Sequence, residues 1–371
     1  MIIVCALLLC VASPASAAEV KALSGEESRY PHAIRLEHGR NAGDILVSVN
    51  KWTQTEIYRG NRHGRSFRRA AVFTDTLAAT SFMCCAHLYE LPSPVGDMPA
   101  GTVLWAGSVG TKEHGMEIRI WRSPDAGTTW SYLSTCASSA NRGGIWEPEF
   151  SVDASGRLVC HFADESFGVS HSQVLARTVS ADGVHWSAKE FTVALSPRGY
   201  RPGMAHVRRM PGGSYYMTYE VCGQRSQYFC EAYYRTSADG WNWGDRAAFG
   251  TQLHSREGRY FAHTPSIALA PNGTPAGRVV LIGQMLMHSS GKIDEANGAR
   301  LFVNDNGGVG EWYEAPAPVA VPQARDVNCP NYHPALLTSL DGKSVLEFTS
   351  DFNAAGACVT QFASGALPAH P

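Results

Sequence analysis

At 371 residues, with a net charge of −2 and a sequence pI near 6.7, the chain has no block of clustered lysine and arginine, so nucleic acid is not an expected partner. Charged residues make up 17% and hydrophobic ones 44%, while 36 glycines and 20 prolines punctuate many short apolar runs. No long helix-period stretch interrupts them, and that pattern suits an all-β fold.

Residues 1–17 form an apolar run ending in Ala15-Ser16-Ala17, the pattern of a secretion signal peptide cleaved near Ala18. The run is too short to span a bilayer, so the expectation is a secreted, extracellular protein without a membrane partner. Residues 18–371 then read as one domain of six similar units, starting near residues 30, 86, 145, 202, 262 and 331. Each unit opens on an apolar run with a glycine-based hairpin, as in Glu149-Phe-Ser-Val-Asp-Ala-Ser-Gly156 or Ala335-Leu-Leu-Thr-Ser-Leu-Asp-Gly342.

A turn phrase recurs after the third apolar run of five units. Its fullest copy is Ser123-Pro-Asp125-Ala-Gly127-Thr-Thr129-Trp130, with further copies at Ser180–Trp186 and Ser237–Trp243 and eroded ones at Arg59–Phe67 and Asn304–Trp312. The closing aromatics are 56 to 69 residues apart. Asp or Asn can bond nearby backbone amides, Gly accepts positive φ, and the aromatic packs beneath the turn. A near-constant period of this size signals an array of supersecondary units, and six four-stranded units arranged radially make a six-bladed β-propeller. The sixth unit lacks a turn phrase and a fourth strand, which residues about 19 to 30 are expected to supply.

Eight cysteines follow the leader, an even number that permits disulfides in an exported chain; Cys222 and Cys230, flanking a short loop, are the first expected pair. No Cys-x-x-Cys or His-Glu-x-x-His motif is present, so neither metal nor cofactor is expected. Two glutamates stand out. Glu147, in Trp146-Glu147-Pro148, sits where the third unit's innermost strand starts, and Glu220, in Thr218-Tyr219-Glu220, ends the fourth unit's second strand. Both map to the same end of a propeller, in adjacent blades. Paired carboxylates are the apparatus of glycoside hydrolysis, retaining at a separation of roughly 5 Å and inverting at roughly 6.5 to 9.5 Å. Alternatively Glu147 caps its strand and Glu220 pairs with an arginine such as Arg201 or Arg35.

The turn phrases resemble the Asp-boxes of the sialidase superfamily. The fuller text is similar to glycoside hydrolase family 93, exo-acting α-L-1,5-arabinanases that release arabinobiose from linear arabinan. The resembling stretches include Tyr30-Pro-His-Ala-Ile-Arg35, Leu88-Tyr-Glu-Leu-Pro92, Trp146-Glu147-Pro148, Ala163-Asp-Glu165-Ser, His171-Ser-Gln173, Arg201-Pro-Gly203-Met204, Met217-Thr-Tyr-Glu220 and Asn331-Tyr332-His-Pro334. The resemblance implies a retaining enzyme with Glu147 as acid/base, Glu220 as nucleophile and Tyr332 bonding the nucleophile, acting on arabinan as a monomer. Arg35, His87, Trp146, Glu165, His171, Arg201, Tyr219 and His263 are the candidate substrate-binding residues. Among them, Glu165 reads equally as a solvated loop charge, His87 and His263 as packing, and Trp146 and Tyr219 as blade core. The family pattern places Arg after Tyr-Pro where this chain has His32, a departure that bears on one subsite contact. Two further readings share the fold: a sialidase, with Arg35, Arg201 and Arg259 converging on a carboxylate, and a glycan-binding propeller without chemistry.

Overall fold

A computed structural model describes residues 19–139, 141–224 and 229–369; the expected leader lies outside them. Antiparallel sheets of the described residues form six blades, whose innermost strands are Arg29–Arg35, Phe82–Glu90, Ile145–Val152, Arg201–Arg209, Ser266–Ala270 and Ala335–Thr338. Each innermost strand touches those of the blades before and after it, which closes the ring. The last blade is completed by Lys21–Ala22, paired with Cys358–Ala366 in the register Lys21↔Phe362, so the two ends of the chain share one sheet. Pairing the ends covers part of the outer edge of Cys358–Ala366 and ties ring closure to the first strand of the described chain. The fourth blade departs from the repeat, because Tyr260–Ala262 and Met285–Met287 extend its sheet toward the fifth.

The five turn phrases each join a third to a fourth strand, and their chemistry is local. Asp125 Oδ1 accepts from the Thr128 and Thr129 amides at 3.1 and 2.8 Å, and Ser123 Oγ accepts from the Gly127 amide at 2.8 Å. Ser180 with Asp182 and Ser237 with Asp239 repeat the arrangement. Trp243 and Trp312 close their turns as buried side chains between blades. Four disulfides staple the ring: Cys84–Cys85, Cys136–Cys160 between blades 2 and 3, Cys222–Cys230 as expected, and Cys329–Cys358 within the sixth blade's surroundings.

One irregularity repeats around the axis. The innermost strands of blades 1 to 4 each shift register across a bulge, between Arg29 and His32, Cys84 and His87, Trp146 and Glu149, and Gly203 and His206. Within each bulge one residue takes positive φ: Tyr30, Cys85, Glu147 and Met204. Blades 5 and 6 reach the same level with His263 and Thr264, and with Asn331 and His333, also at positive φ. A bulge re-aims a side chain and ends regular pairing, so this ring of bulges turns a closed sheet end into a lined cleft.

Beneath the bulges the axis is filled by polar side chains. Glu149 Oε2 lies 2.7 Å from His87 Nδ1, while its other oxygen accepts from the Val207 amide at 2.9 Å and from Arg208 at 2.7 Å. Burial opposes ionisation of Glu149, yet His87 and Arg208 hold its carboxyl well below the usual range. His206 Nε2 meets His333 Nε2 at 3.1 Å, and His32 Nδ1 accepts from the Leu88 amide at 3.1 Å.

Candidate active site

The ring of bulges borders a cleft of about 450 Å³, lined by Glu147, Glu220 and Tyr332 together with Trp146, Glu165, Arg201 and His263. Glu147 reaches it because two residues, Glu147 and Pro148, face one on the neighbouring strand. Proline lacks a ladder donor and fits that bulge. Glu220 arrives from the second strand of the next blade, paired opposite Gly203, where a Cβ would run into Gln173 Nε2 at 2.6 Å.

The two carboxyls sit in different environments. Glu147 keeps part of its surface toward the cleft, but the surrounding protein desolvates its carboxyl, and Glu220 and Glu165 add like charge. Together these push it up to about 8 against the pull of Arg201 and a backbone bond from Met204. Glu220 Oε2 accepts from the Thr264 amide at 2.6 Å and lies 3.7 Å from His263 Nδ1. His263 Nε2 is in turn 3.3 Å from Asp326. Burial works against the His263 cation, but its two carboxylate partners outweigh that and raise its pKa. Amide, imidazole and Asp326 thus form a set that fixes the position of the Glu220 side chain.

Glu165 is a bridge rather than a loop charge. Its oxygens meet Arg201 at 2.6 Å, Lys112 at 2.5 Å and the Gly144 amide at 3.0 Å. Burial raises its pKa, and the bonds from Lys112 and Arg201 overcome this and hold it at about 2. Arg201 also bonds Gln173 at 2.6 Å. Burial, with the charges of Glu147 and Glu220, keeps the Tyr332 phenol far above its ordinary pKa, so it stands in the cleft as a neutral hydroxyl. Tyr30, its ring stacked on His333 at 3.9 Å, is held neutral by the same causes.

Four sequence candidates lie elsewhere. Arg35 is at the opposite end of its strand, donating to the Gly43, Arg62 and Thr338 carbonyls. Tyr219 is fully buried between blades, where its hydroxyl meets the Phe249 carbonyl and Arg235. Strand alternation requires this, because Glu220 next to it faces the cleft. His171 lies on a loop against Ser170 and Phe191, and His87 belongs to the axial cluster, as does His32. The three arginines of the sialidase reading do not converge: Arg201 serves Glu165 and Gln173, Arg35 serves carbonyls, and Arg259 pairs with Glu314 and Asp294. Sequence reading missed Arg29, Asn50, Trp52, the Cys84–Cys85 pair and Asp326, all of which line the cleft. Two adjacent cysteines were the one signal available in the sequence.

Two groups of metal-capable side chains border the site, with donor atoms within 4.8 Å of one another. In one, Cys222 and Cys230 are joined to each other; in the other, Glu149 already engages His87 and Arg208.

No family model and no curated protein matches the chain. Solved structures do. An α-L-arabinanase of Penicillium chrysogenum, complexed with arabinobiose, is 24% identical over 92% of this chain and 93% of that one, with a TM-score of 0.76. A GH93 α-L-arabinofuranosidase of Fusarium graminearum, also with arabinobiose, is 22% identical at the same coverages and TM-score. The Hadza microbial sialidase Hz136 is 11% identical over 92% of this chain and 66% of that one, with a TM-score of 0.58. At these identities the matches establish a shared propeller fold, and this chain is closer in shape to the arabinanase and the arabinofuranosidase than to the sialidase.

Proposed function

We propose that the protein is a secreted glycoside hydrolase of family 93 type, a retaining exo-enzyme that releases arabinobiose from α-1,5-linked L-arabinan. The observation that carries this reading is the pair Glu147 and Glu220 in one cleft, the first lifted by burial and like charge to about 8 and the second fixed in position by the Thr264 amide and His263. The arabinobiose complexes of the two similar structures supply the choice of sugar. The separate placement of Arg35, Arg201 and Arg259 argues against the sialidase reading.

In the first step Glu147 donates its proton to the leaving glycosidic oxygen as the bond to the anomeric carbon breaks, and a Glu220 oxygen bonds that carbon. Forming the ester removes the Glu220 charge, one of the causes that raises the Glu147 pKa. Glu147 therefore becomes the stronger acid and remains ionised, ready to take a proton from water in the second step. The hydroxide so formed attacks the anomeric carbon, the ester bond breaks, and both carboxyls return to their starting states. We assign Tyr332, a neutral hydroxyl lining the same cleft, the role of donor to the nucleophile, and the Glu165–Arg201–Gln173 set offers polar partners for sugar hydroxyls. The test is incubation with linear arabinan, with products separated by size, for the wild type and the Glu147→Gln and Glu220→Gln variants.

A further inference from the structure

The wall of the cleft formed by blades 1 and 2 has no part in the chemistry above, yet it has the features of a ligand surface. Trp52 stands there as the one exposed tryptophan of nine, 46% accessible. Its backbone is at φ +63, a region costly for a bulky residue, and it is held there by the Met83 amide donating to the Trp52 carbonyl at 2.6 Å. The Arg29 guanidinium lies over the ring, 5.0 Å from its centroid, a cation–π contact that helps order the indole.

Two neighbours complete the surface. Asn50, two residues before Trp52, is 4% exposed and lines the cleft, and its Nδ2 has no hydrogen-bond partner among the described residues. A buried amide donor without a partner costs free energy unless a ligand takes it up. The bonded pair Cys84–Cys85, with Cys85 at φ +61, presents a stiff, polarisable apolar edge beside it.

We infer that Trp52, backed by Arg29 and flanked by Asn50 and the Cys84–Cys85 disulfide, is a binding platform for a further saccharide unit of the polymer, on the leaving-group side of the catalytic pair. An indole face matches the C–H face of a sugar ring, Asn50 offers a donor to a hydroxyl, and the disulfide edge fits an apolar ring edge. The leaving-group side follows from exposure: the polymer must run out to solvent, and Trp52 is on the exposed rim. This inference rests on reading the cleft as a polysaccharide site.

The test compares Trp52→Ala and Trp52→Phe with the wild type on long arabino-oligosaccharides and on arabinotriose, with the melting temperature of each variant as a folding control. The platform predicts that the preference in kcat/KM for long over short substrate falls about ten-fold in Trp52→Ala, about 1.4 kcal/mol, and recovers largely in Trp52→Phe. An unchanged preference in a folded Trp52→Ala variant overturns the inference. If the wild type cleaves no arabinan, the arabinan reading fails by itself, and affinity electrophoresis through arabinan, galactan and xylan gels decides the platform. Retardation of the wild type in any gel that Trp52→Ala loses upholds it; retardation of neither, or of both equally, overturns it.

Discussion

The proton on Glu147 gives a quantitative expectation. A carboxyl lifted from an ordinary 4.5 to about 8 has its protonated form stabilised, relative to an exposed carboxyl, by about 5 kcal/mol against the ionised one, at about 1.36 kcal/mol per pH unit. Because the first step consumes that proton, kcat/KM should hold through neutral pH and fall about ten-fold per pH unit above about 8. An aryl glycoside whose phenol leaves without protonation should show a much weaker alkaline limb, since only the acid role is bypassed. The same shift bears on folding. Between the unfolded pKa and about 8 the folded chain retains a proton that the unfolded chain has lost, so this group's contribution to stability falls as pH rises across that window. The effect is at most about 3 kcal/mol at pH 7, and Glu147→Gln should abolish that slope. The assay is a pH–rate profile on arabinan and on the aryl substrate, alongside denaturant midpoints of wild type and Glu147→Gln. A rate that falls away above pH 5 or 6, or a limb near 8 that is identical for both substrates, would refute the reasoning.

Three further expectations concern the ring itself. Glu347 is fully buried, accepts one bond from the Val319 amide and is pushed up to about 8 by burial, so Glu347→Gln should raise the melting temperature at pH 8 and change it little at pH 5. Replacing Cys136 and Cys160 together by alanine should cost about 3 kcal/mol in denaturant unfolding, because the bond closes a 24-residue separation across blades 2 and 3. Deleting residues 19–26 removes the strand Lys21–Ala22 from the last blade and should lower the melting temperature sharply, with proteolysis beginning in the exposed Cys358–Ala366 strand.

Much of the architecture was legible because its causes are local. An aspartate or asparagine bonding amides, a glycine at positive φ and an aromatic under the turn can be recognised residue by residue; their spacing marked five blades, and the glycine hairpin at Ala335–Gly342 marked the sixth. The ring closure by Lys21–Ala22 followed from the missing fourth strand. Glu147 and Glu220 could be brought to one end of the ring by strand direction alone. The bulges could not be read in this way, and they decide which side chains turn into the cleft: one extra residue per inner strand sends Cys85 and Glu147 to the cleft and His32, His87 and Glu149 to the axis. Of the two readings open for Tyr219, strand alternation favours blade core, since a strand cannot point adjacent residues to the same face. Asp326 and Trp52 come from connections whose path no periodicity encodes.

The central claim is that Glu147 and Glu220 act together on arabinan. The most direct measurement is the product spectrum of linear α-1,5-arabinan treated with wild type, Glu147→Gln and Glu220→Gln, with the anomer of the first product followed by NMR. Accumulation of arabinobiose with retained configuration, lost in both folded variants, is the predicted result. Release by either variant at the wild-type rate, an inverted first product, or no cleavage of arabinan would contradict the account.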